Sequence, residues 1–158
     1  MTDLEIAKQK IQDEYIEIWR AWYKDIPDVC PATLQIYDFT KTSGYCKKSD
    51  KICLFFDKED LLKVLIRETE DEFIAPPGYP ANWDICRIEL IHEMLHEYQY
   101  KILGNEFSIE GAELAKKYDR FFRDHQHDHI FATAIERNAK YLNMNPDELI
   151  NVLSGGTI

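Results

Sequence analysis

Ile91-His92-Glu93-Met94-Leu95-His96-Glu97 is the stretch that decides how this chain is read. It has the form H-E-x-x-H. Around it, Ile85, Ile88, Ile91 or Leu95, and Tyr98 return at helical spacing, and no Gly or Pro interrupts the run from Ile85 to Tyr100. A helix over this span puts His92 and His96 one turn apart on the same face. Two imidazoles so placed can bind one zinc ion (Zn2+) together. Glu93 stands beside them, able to reach a metal-bound water without ligating the metal. Two His ligands with a neighbouring Glu as general base is the division of labour in a zinc peptidase. The plain alternative is a surface helix that carries two histidines by chance. Histidine is scarce here, however, with five in the chain and two of them in this motif, and the flanks are apolar and helical as the motif requires. Metal binding is therefore the expectation.

A catalytic zinc takes three protein ligands and keeps a fourth position open for water. The segment Asp124-His125-Gln126-His127-Asp128-His129 carries the remaining histidines. His127 precedes Phe131 by one helical turn, so a helix starting there puts both on one face. It is the first choice for third ligand. His125 and His129 compete with it, against the reading of all three as solvated loop residues. Glu110, in Ser108-Ile109-Glu110-Gly111, is a separate candidate, because some H-E-x-x-H peptidases take a Glu from a later helix. An exposed Glu on a polar helix more often has no such role.

The rest of the chain sets the context. Its 158 residues suit one domain, and 45% hydrophobic with 13% aromatic residues make it globular. A net charge of −10 argues against a dominant phosphate-binding surface. No apolar run approaches a membrane span, so no membrane partner is expected. The first residues, Met1-Thr2-Asp3-Leu4-Glu5, have neither a basic nor an apolar signal region. Cys30, Cys46, Cys53 and Cys86 form no C-x-x-C pair. Free thiols in a reducing cytoplasm are expected.

Outward from the motif, Leu4, Ala7, Ile11, Tyr15, Ile18 and Trp22 predict a helix over 3–24, ending before Pro27. The β-rich runs Thr33–Phe39, Tyr45–Lys47 and Lys51–Phe56, separated by turn signals, predict an antiparallel meander. A helix follows over 58–71, with Leu61, Leu62, Leu65 and Ile66 buried. Ala75-Pro76-Pro77-Gly78-Tyr79-Pro80 reads as a loop, and Asn82 or Asp84 as the cap of the motif helix. Gly104 should close that helix. Further helices are expected over 108–123, from the His cluster to Asn143, and from Asn145-Pro146 onward. The fold class is α+β.

Taken together, these residues resemble the SprT-like metallopeptidases, the group that includes Spartan. His92-Glu93-Met94-Leu95-His96-Glu97-Tyr98 is similar to the family's HEM-x-H-x-Y zinc helix. His127-Asp128-His129-Ile130-Phe131 is similar to its H-G-x-x-F or H-G-x-x-W element, whose His is the third ligand. Gly44-Tyr45-Cys46 through Lys51-Ile52-Cys53-Leu54 resembles the hairpin that precedes the zinc helix. The resemblance covers about residues 10–145. It implies one zincin-like domain over 1–158, with a small antiparallel sheet beside the H-E-x-x-H helix. It implies Zn2+ on His92, His96 and His127, Glu93 as general base, and peptide-bond hydrolysis. An extended polypeptide substrate is expected to add to the edge of the meander, with Ile52–Phe56 as the candidate edge. The chain departs from the family at Asp128, where Gly is usual, in a longer interval between His96 and His127, in the length of 57–83, and in having no C-terminal zinc ribbon. DNA binding follows from the resemblance alone and finds no support in the charge. The rival readings are a zinc-binding module without catalysis, a peptidase with Glu110 as third ligand, and a structural domain with a fortuitous motif.

Overall fold

The computed structural model describes residues 1–67, 79–80, 82–124 and 127–155. The fold is mixed α and β. Two compact units are present, Met1–Met94 and Leu95–Ile158, and the division between them falls inside one helix. Among the described residues, no helix is long and apolar enough to cross a membrane.

In the first unit, helix α1 spans Asp3–Trp22. It opens with a capping box, in which the Glu5 N–H donates to Thr2 Oγ1 at 3.2 Å. Ala7, Ile11, Tyr15 and Trp22 form its buried stripe. The Tyr15 hydroxyl accepts from the Ala32 N–H at 2.8 Å and ties the helix to the chain entering the sheet.

Strands β1 (Thr33–Tyr37), β2 (Gly44–Cys46) and β3 (Lys51–Phe55) form that sheet. Leu34 and Ile36 of β1 and Ile52 and Leu54 of β3 bury alternate positions, as strand periodicity requires. The expected antiparallel meander is not formed. The strand order is β1-β3-β2, with β1 parallel to β3 from Thr33↔Lys51 to Tyr37↔Phe55, and β2 antiparallel to β3. Alternation encodes which face of a strand is buried, and carries no information on its direction. Position in the sheet follows burial. β3 buries two of its five residues completely, whereas β2 has three residues and none buried, which suits an edge. Ile52–Phe56 therefore occupies the centre of the sheet and offers no edge to a substrate.

Helix α2 spans Lys58–Ile66 and is capped by Asp57, whose carboxylate accepts from the Asp60 N–H at 2.8 Å. Leu61 and Val64 are buried, while Leu62, expected in the core, is 40% exposed. The expected continuation to residue 71 and the loop over 75–78 lie outside the described residues.

Helix α3 spans Ile85–Tyr98 and contains the motif. Asp84, one of the two expected caps, accepts from the Arg87 N–H at 3.0 Å, while Asn82 adopts a φ of 70°. Asp84 also meets Arg67, at the end of α2, through both carboxylate oxygens at 3.1 Å. Arg67 reaches Glu14 of α1 at 2.6 Å, and Arg87 reaches the same carboxylate at 2.7 Å. Arg67 is only 1% exposed. The start of α3 is thus fastened to α1 and α2 by a charge cluster whose Arg67–Asp84 pair is buried and whose Glu14 and Arg87 are partly exposed.

In the second unit, α3 widens into a π turn over Gln99–Leu103. Gly104 closes it with a φ of 57°, its N–H donating to the Gln99 carbonyl at 3.0 Å. The single helix expected over 108–123 is two: α4 (Ile109–Lys117) and α5 (Asp119–Asp124), parted at Tyr118. The Tyr118 hydroxyl donates to Asp147 at 2.6 Å, a tertiary bond that a helical periodicity does not announce. Helix α6 spans His129–Asn138, a 3₁₀ turn follows over Ala139–Leu142, and α7 spans Pro146–Leu153 with a capping box from Asn145 and Glu148. α4 and α6 approach closely at Gly111. A Cβ there would lie 2.8 Å from the Thr133 Cα and against its Oγ1.

Removing Arg67 tests the charge cluster. Arg67→Ala leaves Asp84 buried without its ion pair and is expected to cost about 3–5 kcal/mol of stability. Denaturant unfolding measures it, and a loss below about 1 kcal/mol, the scale of a surface pair, would show the cluster to be peripheral.

Candidate metal centre

Helical geometry explains how α3 presents its histidines. His92 and His96 are one turn apart and both half-buried, while Met94 and Leu95 between them are completely buried. The helix is therefore anchored on its apolar side and shows both imidazoles on the other.

His127 comes from the segment ahead of α6. Asp128 is the cap of that helix, its Oδ1 accepting from the Ile130 and Phe131 N–H groups at 3.0 Å each. The helix thus starts two residues after His127, and His127 lies just outside it. Its backbone N–H donates to the Phe122 carbonyl at 2.9 Å.

The three histidines converge. His92, His96 and His127 each offer a ring nitrogen, and these nitrogens lie within 4.8 Å of one another. Among the described residues they are the one group of three His, Cys, Asp or Glu side chains placed to hold a metal ion together. Ligand nitrogens around a tetrahedral zinc stand about 3.3 Å apart, given bonds of about 2.0–2.1 Å. A contraction of about 1.5 Å at most would close the set. Three imidazoles are also the donor chemistry that zinc, copper, iron and nickel accept.

Phe131 forms the wall behind two of these rings. It is completely buried. Its ring stacks on His127 at 4.2 Å between centroids and on His96 at 4.5 Å, and the two imidazoles are 5.0 Å apart. Burial lowers the pKa of His96, against the opposing pull of Gln99 and Asp128. The neutral ring that a metal needs is therefore favoured. His96 Nδ1 lies 3.1 Å from Gln99 Oε1, and Gln99 Nε2 donates to Asp128 Oδ1 at 3.3 Å.

Glu93 follows His92 directly and is 5% exposed. Burial pushes its carboxyl up to about 7, the neighbouring Glu89 carboxylate adds to that, and the Tyr45 backbone N–H opposes it. A dication on the histidines would pull it down again. The metal-bound site would thus favour the ionised carboxylate, the form that accepts a proton.

The other candidates are placed elsewhere. His129 is exposed and meets Phe107 edge-on at 4.5 Å. Glu110 is exposed on α4 and lines a surface groove of about 340 Å³ with Glu113, Leu114, Lys117, Glu136, Pro146 and Asp147. Neither belongs to the histidine group. His125 lies outside the described residues. Sequence reasoning missed Gln99, Asp128 and Glu89. Asp128 carried a readable signal, an Asp ahead of an apolar helical run. Gln99 carried none.

Phe131→Ala is expected to cost about 3–5 kcal/mol, the range for emptying a buried phenylalanine site. It should also weaken metal binding, because both imidazoles lose their wall. Denaturant unfolding and chelator competition read the two effects, and a variant with unchanged metal affinity would show that the ring only fills space.

In comparisons with known proteins, no family model matches the chain, and no curated protein and no solved structure is significantly similar to it.

Proposed function

We propose that this chain is a zinc-dependent metallopeptidase of the SprT-like, zincin type. The observation that carries the reading is the convergence of His127 on the His92–His96 pair, beside a buried Glu93. Either half alone is weak, since H-E-x-x-H is a short motif and exposed histidines cluster by chance. The resemblance in the order of motifs supports the same reading.

In this proposal His92, His96 and His127 hold Zn2+. When bound, the zinc supplies Lewis acidity toward a water and a scissile peptide carbonyl. Glu93 accepts the proton of the attacking water and returns it to the leaving amine. Its burial keeps bulk water from competing for that proton, and Glu89 keeps its affinity for the proton high. The three imidazoles are neutral, so the site retains the positive charge of its ion. The substrate is a polypeptide in extended conformation. β2 is the strand best placed to meet it, being at the edge of its sheet with the Tyr45 N–H directed to Glu93. DNA has no place in the proposal, as the chain carries a net charge of −10.

Three measurements test it. Elemental analysis of dialysed protein should find one zinc per chain, and none would remove the basis of the reading. His127→Ala should lower zinc affinity far more than Glu110→Ala in a chelator competition, and the reverse order would move the third ligand to Glu110. Glu93→Gln keeps the shape of the side chain and cannot accept the proton. It should fold, keep its zinc, and cleave an unstructured protein at least ~10²-fold more slowly. His92→Ala should lose zinc and cleavage together. Zinc in both the parent and Glu93→Gln with cleavage in neither would favour the zinc-binding module without catalysis.

A further inference from the structure

We propose that Gln99 is a positioning residue that fixes the tautomer of His96, and that Asp128 orients Gln99 for the task. The inference rests on the metal reading of the histidine group. It follows from hydrogen-bond capacities taken in order from the start of α6. The Asp128 carboxylate is held by two backbone donors, the Ile130 and Phe131 N–H groups, each at 3.0 Å from Oδ1. An ionised carboxylate accepts and never donates. The Gln99 amide therefore turns its NH₂ toward Asp128, at 3.3 Å, because the flipped amide would set oxygen against oxygen. Its Oε1 then faces His96 Nδ1 at 3.1 Å. That oxygen also accepts only, so His96 Nδ1 carries the proton. In the neutral ring the lone pair is left on Nε2, the nitrogen that then serves as ligand.

The relay is built from features that the motif alone does not contain. Gln99 is 9% exposed and opens the π turn, three residues after His96 on the same side of the helix. Turns of this kind are concentrated at functional sites. Asp128 stands where the SprT-like pattern has Gly, and Gly has no side chain to cap the helix and accept from Gln99 together. Asp128 also adjoins His127 in the chain, so two side chains, Gln99 and Asp128, connect His96 to the residue next to His127. Without Gln99 the proton of His96 is not directed to Nδ1, and can sit on the ligating nitrogen instead.

Two readouts test this in the full chain. In metal-free protein, two-bond ¹H–¹⁵N NMR should show His96 protonated at Nδ1 and bare at Nε2. Gln99→Leu should shift that ring toward the other tautomer and lower zinc affinity by ~10–100-fold in chelator competition, the range for losing a partner of a ligating histidine. Unchanged metal-free unfolding establishes that the variant is folded, and Gln99→Met is the companion variant if Leu disturbs the packing. Asp128→Ser keeps a helix cap with a shorter side chain and should lose affinity similarly. The double variant should lose no more than Gln99→Leu alone, because Asp128 acts through Gln99. A parent His96 protonated at Nε2, or a folded Gln99→Leu protein that binds zinc as tightly as the parent, would overturn the proposal. A parent that binds no zinc would overturn the metal reading and this role with it. That result is distinct from the case in which the parent binds and Gln99 proves indifferent.

Discussion

The phenyl ring of Phe131 stacks on His96 and on His127, and the spacing of those two imidazoles depends on it. A half-buried imidazole in a loop has several rotamers open to it, and a flat, fully buried ring on one side removes most of them. The position of Phe131 is fixed in turn by α6. Asp128 accepts its backbone N–H, and the glycine at 111 lets α4 approach α6 over Thr133. The Thr133 hydroxyl accepts from the Ser108 N–H at 3.1 Å and donates to the His129 carbonyl at 3.0 Å, which secures the first turn of α6 from both sides. A cap, a glycine and a hydroxyl thus determine where an aromatic ring stands, and the ring determines where two candidate ligands stand.

α3 and its start bury three carboxylates, at Asp84, Glu93 and Glu97, and their partners separate structural from chemical roles. Asp84 is 2% exposed and burial raises its pKa, but Arg67 and the Arg87 N–H oppose that rise. Glu97 is completely buried and pairs with Lys101 at 2.7 Å across the π turn. Glu93 receives one backbone N–H and faces a second carboxylate at Glu89. A buried acid without a cation beside it is costly to the fold. That cost would fall with a metal ion on His92 and His96, which is the sense in which the motif's Glu belongs with its two histidines.

Much of this was legible in the sequence, and the boundary of legibility is physical. Periodicity placed α1 and α3 and most of their buried faces, because an amphipathic helix writes its burial at a fixed interval; Ile85, at the start of α3, is an exception and is exposed. Cap chemistry placed Asp84, Gly104 and the start of α7. The pairing of His92 with His96 followed from their spacing along one helix. His127 was reached through a helix expected to start at it, whereas α6 starts at His129 behind the Asp128 cap, and His127 joins the group from outside the helix. Three features left no such trace. The parallel pairing of β1 with β3 depends on chain direction, which alternation does not record. The break at Tyr118 coincides with a bond of its hydroxyl to Asp147, some thirty residues away in sequence. The π turn at Gln99 adds one residue to a helical turn without changing the apolar pattern around it.

The revised sheet changes what the β elements contribute to the candidate site. A central β3 has its backbone groups committed on both sides, to β1 and to β2, and even its last N–H, at Phe55, donates to Ser43 Oγ at 3.0 Å. It cannot recruit another strand. β2 is short and lies at an edge, and its Tyr45 N–H points away from β3 to the Glu93 carboxylate. The sheet therefore acts on the motif through one backbone donor at its edge. That donor favours the charged carboxylate, in opposition to the burial and the Glu89 charge that favour the neutral one. In the metal-free site burial and Glu89 prevail and push the carboxyl up to about 7, and a dication on the histidines would act with the Tyr45 donor to bring it down, toward the charged form that a general base requires.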